Sequence, residues 1–242
     1  MRRLLVVVVL FVANGVTAAP SRKTLHWTID GVRREAIVFA PRSQRALPVV
    51  FVFHPHGGTA EASVRLMHFQ RDWPEAIVVY PQGLNAPTPR DPAGLHPGWQ
   101  REPGQLRDRD LKLFDAMFET LRRDYRIDTH RVYAAGFSNG AAFTFLLWAE
   151  RPNVVSGVAV CAGALLPTVH IREPRPVIHI AGRADDIAKF ELQQKSIEAE
   201  HALDDPAGVP VRAEIHDGGH IYPQSATRDI VDFLRKLAAP RP

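Results

Sequence analysis

Apolar residues in this chain come in short blocks separated by turn residues, and the blocks alternate between two rhythms. Residues 24–29 and 33–39 read as two strands joined at Asp30-Gly31, a pair that suits a tight hairpin turn. Residues 48–53 are an unbroken β-branched and aromatic run bounded by Pro48 and Pro55, as expected of a strand buried on both faces. Thr59 is placed to cap a helix running to about Trp73, and residues 76–80 form another short apolar strand. Further on, Leu111, Phe114, Phe118 and Leu121 share one face of a helix predicted over 108–125. Strands at 131–135, 157–162, 177–181 and 211–215 then alternate with helices at 139–150, 190–201 and 226–237. Such alternation predicts an α/β domain with a mostly parallel sheet covered on both faces, preceded by an antiparallel hairpin. In such sheets chemistry gathers outside the carboxyl ends of the strands.

Two stretches break the rhythm. Residues 81–107 hold six prolines and four glycines, and a connection that long is usually functional. Because strands and helices resume beyond it, it reads as an insertion and not as a domain linker. Residues 1–19 are a basic start (Arg2, Arg3), a nine-residue apolar run from Leu4 to Val12, and then small residues. This is the layout of a secretory signal peptide, with cleavage expected after Ala18 and one domain over residues 19–242. The apolar run is shorter than the ~20 residues of a membrane-spanning helix. The mature protein is therefore expected to be secreted or periplasmic, without stable membrane insertion.

Composition narrows the function classes. The 242 residues are 45% hydrophobic and 23% charged, an ordinary globular balance. The formal charge of +4 falls to +2 without the leader arginines, and the bases are scattered among acids, so no nucleic-acid partner is expected. Cys161 is the only cysteine, which excludes an intramolecular disulfide.

The chemistry centres on Gly136-Phe137-Ser138-Asn139-Gly140, a G-x-S-x-G pattern between a predicted strand and a predicted helix. A sharp strand-to-helix turn lifts a serine hydroxyl clear of the sheet, at a helix N-terminus whose N–H groups favour negative charge. A serine nucleophile needs a base, and the base needs an orienting acid. Asp185 and Asp186, past the 177–181 strand, are the candidate acids. His220, in Asp217-Gly-Gly-His220, is the candidate base; His216 competes but closes a strand, and His179 reads as a core histidine. The Asn139 N–H is the expected first oxyanion donor. The second must come from His54-Pro55-His56-Gly57-Gly58, where Pro55 has no N–H, and His56 is favoured over Gly57. The pairs His54-x-His56 and His216-x3-His220 are poor metal sites, so neither a metal nor a cofactor is expected. Trp99 and Gln100 of the insertion, with Tyr222, are expected to border a substrate pocket.

These motifs carry a resemblance. Residues 76–83 (AIVVYPQG), 97–100 (PGWQ), 108–110 (DRD), 131–140 (RVYAAGFSNG), 182–185 (GRAD) and 218–223 (GGHIYP) make the chain similar to the secreted α/β-hydrolase esterases grouped with polyhydroxybutyrate depolymerases and feruloyl esterases, the LpqC-like group. The resemblance spans about Thr24 to Leu237. It implies the α/β-hydrolase fold, a Ser138–His220–Asp185 triad acting through an acyl-enzyme, and Asp185 in preference to Asp186. It further implies a feruloyl-type phenolic ester or another small ester as substrate. A polyhydroxyalkanoate depolymerase, a peptidase and a non-catalytic binding protein on the same scaffold are the alternatives. The chain departs from the group in three places. His54-Pro55 stands where the group has His-Gly, Tyr222 stands where tryptophan is common, and Asp186 and Lys189 replace a proline pair.

Overall fold

Nearly every apolar block becomes a strand or helix close to where the pattern puts it. The computed structural model describes residues 19–237; the expected leader at residues 1–18 lies outside them. Strands β1 (Ser21–Ile29) and β2 (Val32–Ala40) form the hairpin through Asp30 and Gly31, both at positive φ. After them come β3 (Leu47–Phe53), α1 (Ala60–Met67), α2 (Phe69–Asp72) and β4 (Ile77–Pro81). The insertion contributes only a two-residue ribbon, β5 (Leu84–Asn85) against β6 (Pro97–Gly98). Then follow α3 (Arg109–Asp124), β7 (Ile127–Phe137), α4 (Asn139–Glu150) and β8 (Gly157–Cys161). The chain finishes with β9 (Val177–Gly182), α5 (Phe190–Asp204), β10 (Val211–His216) and α6 (Ala226–Leu237).

The eight-stranded sheet has the order β1-β2-β4-β3-β7-β8-β9-β10, antiparallel across β1, β2 and β4 and parallel from β4 onward. The period-two alternation of a strand decides what each face packs against. All of β3 is buried. Its Val49, Phe51 and Phe53 enter one core with Phe114 and Met117 of α3 and Phe143 and Leu146 of α4. Its Val50 and Val52 enter the other, with Met67, Phe69, Ile230 and Phe233 of α1, α2 and α6. The continuous apolar run therefore comes from helices covering both faces. Among the described residues no helix is long and apolar enough to cross a membrane.

The two largest departures from the sequence reading are in one helix and one strand. The helix expected from Thr59 to Trp73 begins as expected, with Thr59 Oγ1 accepting from Ala62 N at 3.1 Å, but it breaks at His68, where φ is 25°. The break lets Trp73 turn inward to stack on Tyr133 at 5.8 Å. Strand β7 begins earlier than expected, because Ile127 already pairs with Leu47.

Candidate active site

The carboxyl ends of β3, β7, β9 and β10 bring together four loops that are far apart in sequence. At the end of β7 the chain reverses into α4 through Ser138, whose φ of 57° and ψ of −117° lie where a side chain is strained. The turn is tight enough to exclude side chains on both sides. A Cβ on Gly136 would sit 2.2 Å from Gly140 O, and one on Gly140 would sit 2.2 Å from Phe53 O. Ser138 N donates to Cys161 O at 2.9 Å, which pins the turn to β8. The serine side chain makes no capping bond to α4.

Instead, Ser138 Oγ lies 2.7 Å from His220 Nε2, and His220 Nδ1 lies 2.8 Å from Asp185 Oδ2. The Asp185 side chain is fully buried and can only accept, so the Nδ1–H donates to it and Nε2 is left to accept from the serine. The aspartate is itself held by N–H donors. Ile187 N and Ala188 N donate to Oδ1, each at 2.9 Å, and Gln193 Nε2 donates to Oδ2 at 3.0 Å. The imidazole stacks on Phe137, with centroids 5.3 Å apart. Asp186 is exposed, and among the described residues its carbonyl accepts from Arg90 while its carboxylate has no partner. The His216 ring accepts from Gly218 N at 3.1 Å, within its own loop. His179 is buried against Glu200, 2.8 Å away. Gln193 carries no motif. The signal that could have found it is an amide on the buried side of α5, where apolar residues are expected.

The loop after β3 is clamped by His54. Its Nδ1–H donates to Pro55 O at 2.8 Å and its Nε2 accepts from Gly83 N at 2.9 Å. Burial, the dominant effect, lowers this imidazole to about 4, so it is neutral. Gly57 N is committed to Pro97 O at 2.7 Å and Gly58 N to Pro55 O at 2.9 Å, and His56 lines the same cavity as Ser138. The His56 ring is oriented by Asp91, with Nε2 3.0 Å from Oδ2. Asp91 also accepts from Leu95 N and from the His96 backbone and ring, and these bonds, Leu95's foremost, hold its carboxyl well below the usual range. Among the described residues, His56, Asp91 and His96 bring three ligand-type atoms within 4.8 Å of one another, a grouping that could meet a cation. The pairs suggested by sequence do not assemble, since the His54, His216 and His220 rings point to separate partners.

Trp99 and Gln100 do not border the pocket; both are completely buried. Trp99 donates from Nε1 to His54 O at 2.9 Å and from its backbone N to Asn139 Oδ1 at 2.7 Å, and it stacks on Phe143. A buried indole needs an acceptor for its N–H, and the nearest carbonyl belongs to the loop behind the serine. Gln100 serves α3: its Oε1 accepts from Asp110 N at 3.1 Å and Leu111 N at 3.3 Å, satisfying N–H groups that a helix start leaves open. Tyr222 packs edge-on against Phe137 and bonds Thr227 Oγ1 at 3.0 Å, so it too supports the site from behind.

The cavity in front of Ser138 has a volume of about 230 Å³. Asn139 and His56 line it beside the serine. Leu166, Ile187 and Leu192 form an apolar side, and Arg90 and Arg101 of the insertion a cationic one.

No family model matches the chain. NocK, named as an esterase, of Nocardia uniformis subsp. tsuyamanensis is 33% identical over 162 residues, covering 63% of this chain and 44% of that protein. Feruloyl esterase D of Neurospora crassa is 29% identical over 160 residues, 60% of this chain and 50% of the relative. The chain thus matches half or less of the length of these curated relatives. Among solved structures, a ferulic acid esterase superposes with a TM-score of 0.71 at 16% identity, covering 91% of this chain and all of the other. The carboxylesterase of Bacillus cereus superposes at 0.64 with 18% identity, covering 92% and 95%. The fold is the α/β-hydrolase fold.

Proposed function

We propose that the chain is an exported serine carboxylester hydrolase acting on feruloyl-type phenolic esters or other small esters. The observation that carries the reading is the continuous hydrogen-bonded chain Ser138–His220–Asp185 at a strained turn, facing a cavity. In this reading Ser138 Oγ attacks the ester carbonyl carbon while its proton passes to His220 Nε2. The N–H groups of His56 and Asn139 receive the developing oxyanion. Collapse of the tetrahedral intermediate breaks the bond to the alcohol, which leaves with the proton from His220. Water, deprotonated by the same nitrogen, then releases the acid from the acyl-enzyme. Asp185 keeps the Nδ1–H tautomer throughout. The partial matches to named esterases support ester chemistry over peptide chemistry. Export rests on residues 1–18, and intact mass of the protein from its native host, lacking them, checks it.

An active-site serine phosphonate tests the central claim. The wild-type chain should be labelled once, and Ser138→Ala should be unlabelled, with kcat on a phenyl ester lower by about 10³-fold or more. Labelling that persists in Ser138→Ala would place the nucleophile elsewhere.

A further inference from the structure

The cavity beside Ser138 is electrically one-sided. Arg90 and Arg101 line it, and among the described residues no aspartate or glutamate does. Arg101 is half-buried, and its guanidinium has neither an ion-pair nor a hydrogen-bond partner among those residues; only its backbone N–H is engaged, by Gln105 Oε1 at 2.6 Å. Burial lowers its pKa from the usual arginine range, and the Glu102 charge offsets only part of that. An arginine stays charged regardless, so this one is a partly desolvated cation with no protein partner among the described residues, its guanidinium still reached by solvent. Arg90 is more exposed and gives one donor to Asp186 O at 3.2 Å, which leaves most of its fork free. The other buried or half-buried arginines among the described residues are matched. Arg34 lies 2.7 Å from Asp110, and Arg151 lies 2.7 Å from Asp115.

The walls also tell which half of an ester the cavity takes. They include Ser138, Asn139 and His56 but not His220. The leaving alcohol must lie against His220, which protonates it, so the cavity receives the acyl portion. Its volume of about 230 Å³ is below the ~300–1,000 Å³ of sites for drug-sized ligands, and so suits a short acyl chain.

We infer that the preferred substrates are half-esters of short dicarboxylic acids, with the free carboxylate of the acyl chain held by the guanidinium of Arg101, assisted by Arg90, and its methylenes on Leu166 and Ile187. This rests on the serine-esterase reading and, within its small esters, names a short dicarboxylic acyl group in place of a feruloyl one. The reaction consumes one water and yields the dicarboxylate, the alcohol and a proton. Planar guanidinium matches carboxylate with two parallel N–H···O bonds, and a half-buried site strengthens them.

The test compares kcat/KM for monoethyl succinate, glutarate and adipate with the neutral half-amide ester of each length. A second pair, 4-acetoxybenzoate and 4-acetoxybenzamide, places the charge on the alcohol side, and methyl ferulate serves as an uncharged aromatic acyl ester. The best half-ester should exceed its neutral partner by about 10–100-fold, the range for hydrogen bonds to charged groups. Arg101→Gln should bring that ratio towards one and Arg101→Lys should restore part of it, both with melting temperatures near wild type. Equal rates on charged and neutral acyl esters would overturn the inference while leaving the esterase reading standing. So would a charge preference confined to the acetoxybenzoate pair, or a preference for methyl ferulate over every half-ester. Failure to hydrolyse any of these esters would overturn both. The wild-type ratios decide the matter even if the variants fold poorly.

Discussion

Asp185 and Asp186 are neighbours of the same chemical type, and their surroundings separate them. The Asp185 carboxylate accepts from two backbone N–H groups, the Gln193 amide and His220, with its side chain wholly out of solvent. Asp186 lies at the surface. Asp185→Asn puts an N–H donor where acceptors are needed and mispairs the His220 tautomer, so kcat should fall by about 10³-fold or more. Asp186→Asn should change kcat by less than about 2-fold, as surface substitutions usually do. Initial rates on one phenyl ester, with circular dichroism to check folding, decide it; the reverse ranking would sink the assignment. From residues alone the sequence left the two aspartates open, and only the resemblance chose between them. What tells them apart physically is a set of backbone N–H groups at Ile187 and Ala188, which any residue types could supply.

At the scale of elements, the insertion between β4 and α3 is the part that pattern reading described least well. The regular strands and helices were legible because a sheet covered on both faces demands long apolar runs, and these appear wherever such a strand occurs. Residues 81–107 have no such rhythm. Their shape comes from particular pairings, such as Gly57 N to Pro97 O and Trp99 Nε1 to His54 O. An aromatic beside an amide in a loop at the carboxyl end of the sheet reads as a pocket wall. The same two side chains serve equally as an anchor and a helix cap, and sequence does not reveal which way they turn. Trp99→Ala should therefore behave as a core deletion. A loss of about 3–5 kcal/mol is typical for removing a buried tryptophan, or of the order of 10 °C in melting temperature for a domain of this size. Rates on a bulky aromatic and a small acetyl ester should change by the same factor. A selective rise in KM for the bulky ester, with the melting temperature unmoved, would return Trp99 to the pocket.

For the whole molecule, two buried titratable groups pull stability against pH in opposite directions. His54 is lowered to about 4, chiefly by burial, so the native state binds fewer protons than the unfolded chain. Its contribution is present above the unfolded value of 6.5 and is lost as pH falls through about 4. Asp204, on the buried side of α5, is the reverse. Burial above all, with the Glu200 and Asp205 charges, pushes it up to about 7 against the bond from Arg175 N. One of its oxygens has no hydrogen-bond partner among the described residues. The native state therefore keeps a proton that the unfolded chain gives up near 3.8, so this contribution is whole below about 4 and is lost as pH rises through about 7. Asp204→Asn keeps the acceptor for Arg175 N and removes the titration. Relative to wild type, the variant should gain stability steadily between about pH 4 and 7 and hold a constant advantage above about pH 8, of the order of a few kcal/mol. Urea unfolding of both proteins across that range measures the difference directly. A difference that stays flat with pH would mean that Asp204 is ionised in the native state. A difference that grows towards low pH would mean that it is stabilised as a carboxylate, and either result would remove it as the source of alkaline weakening.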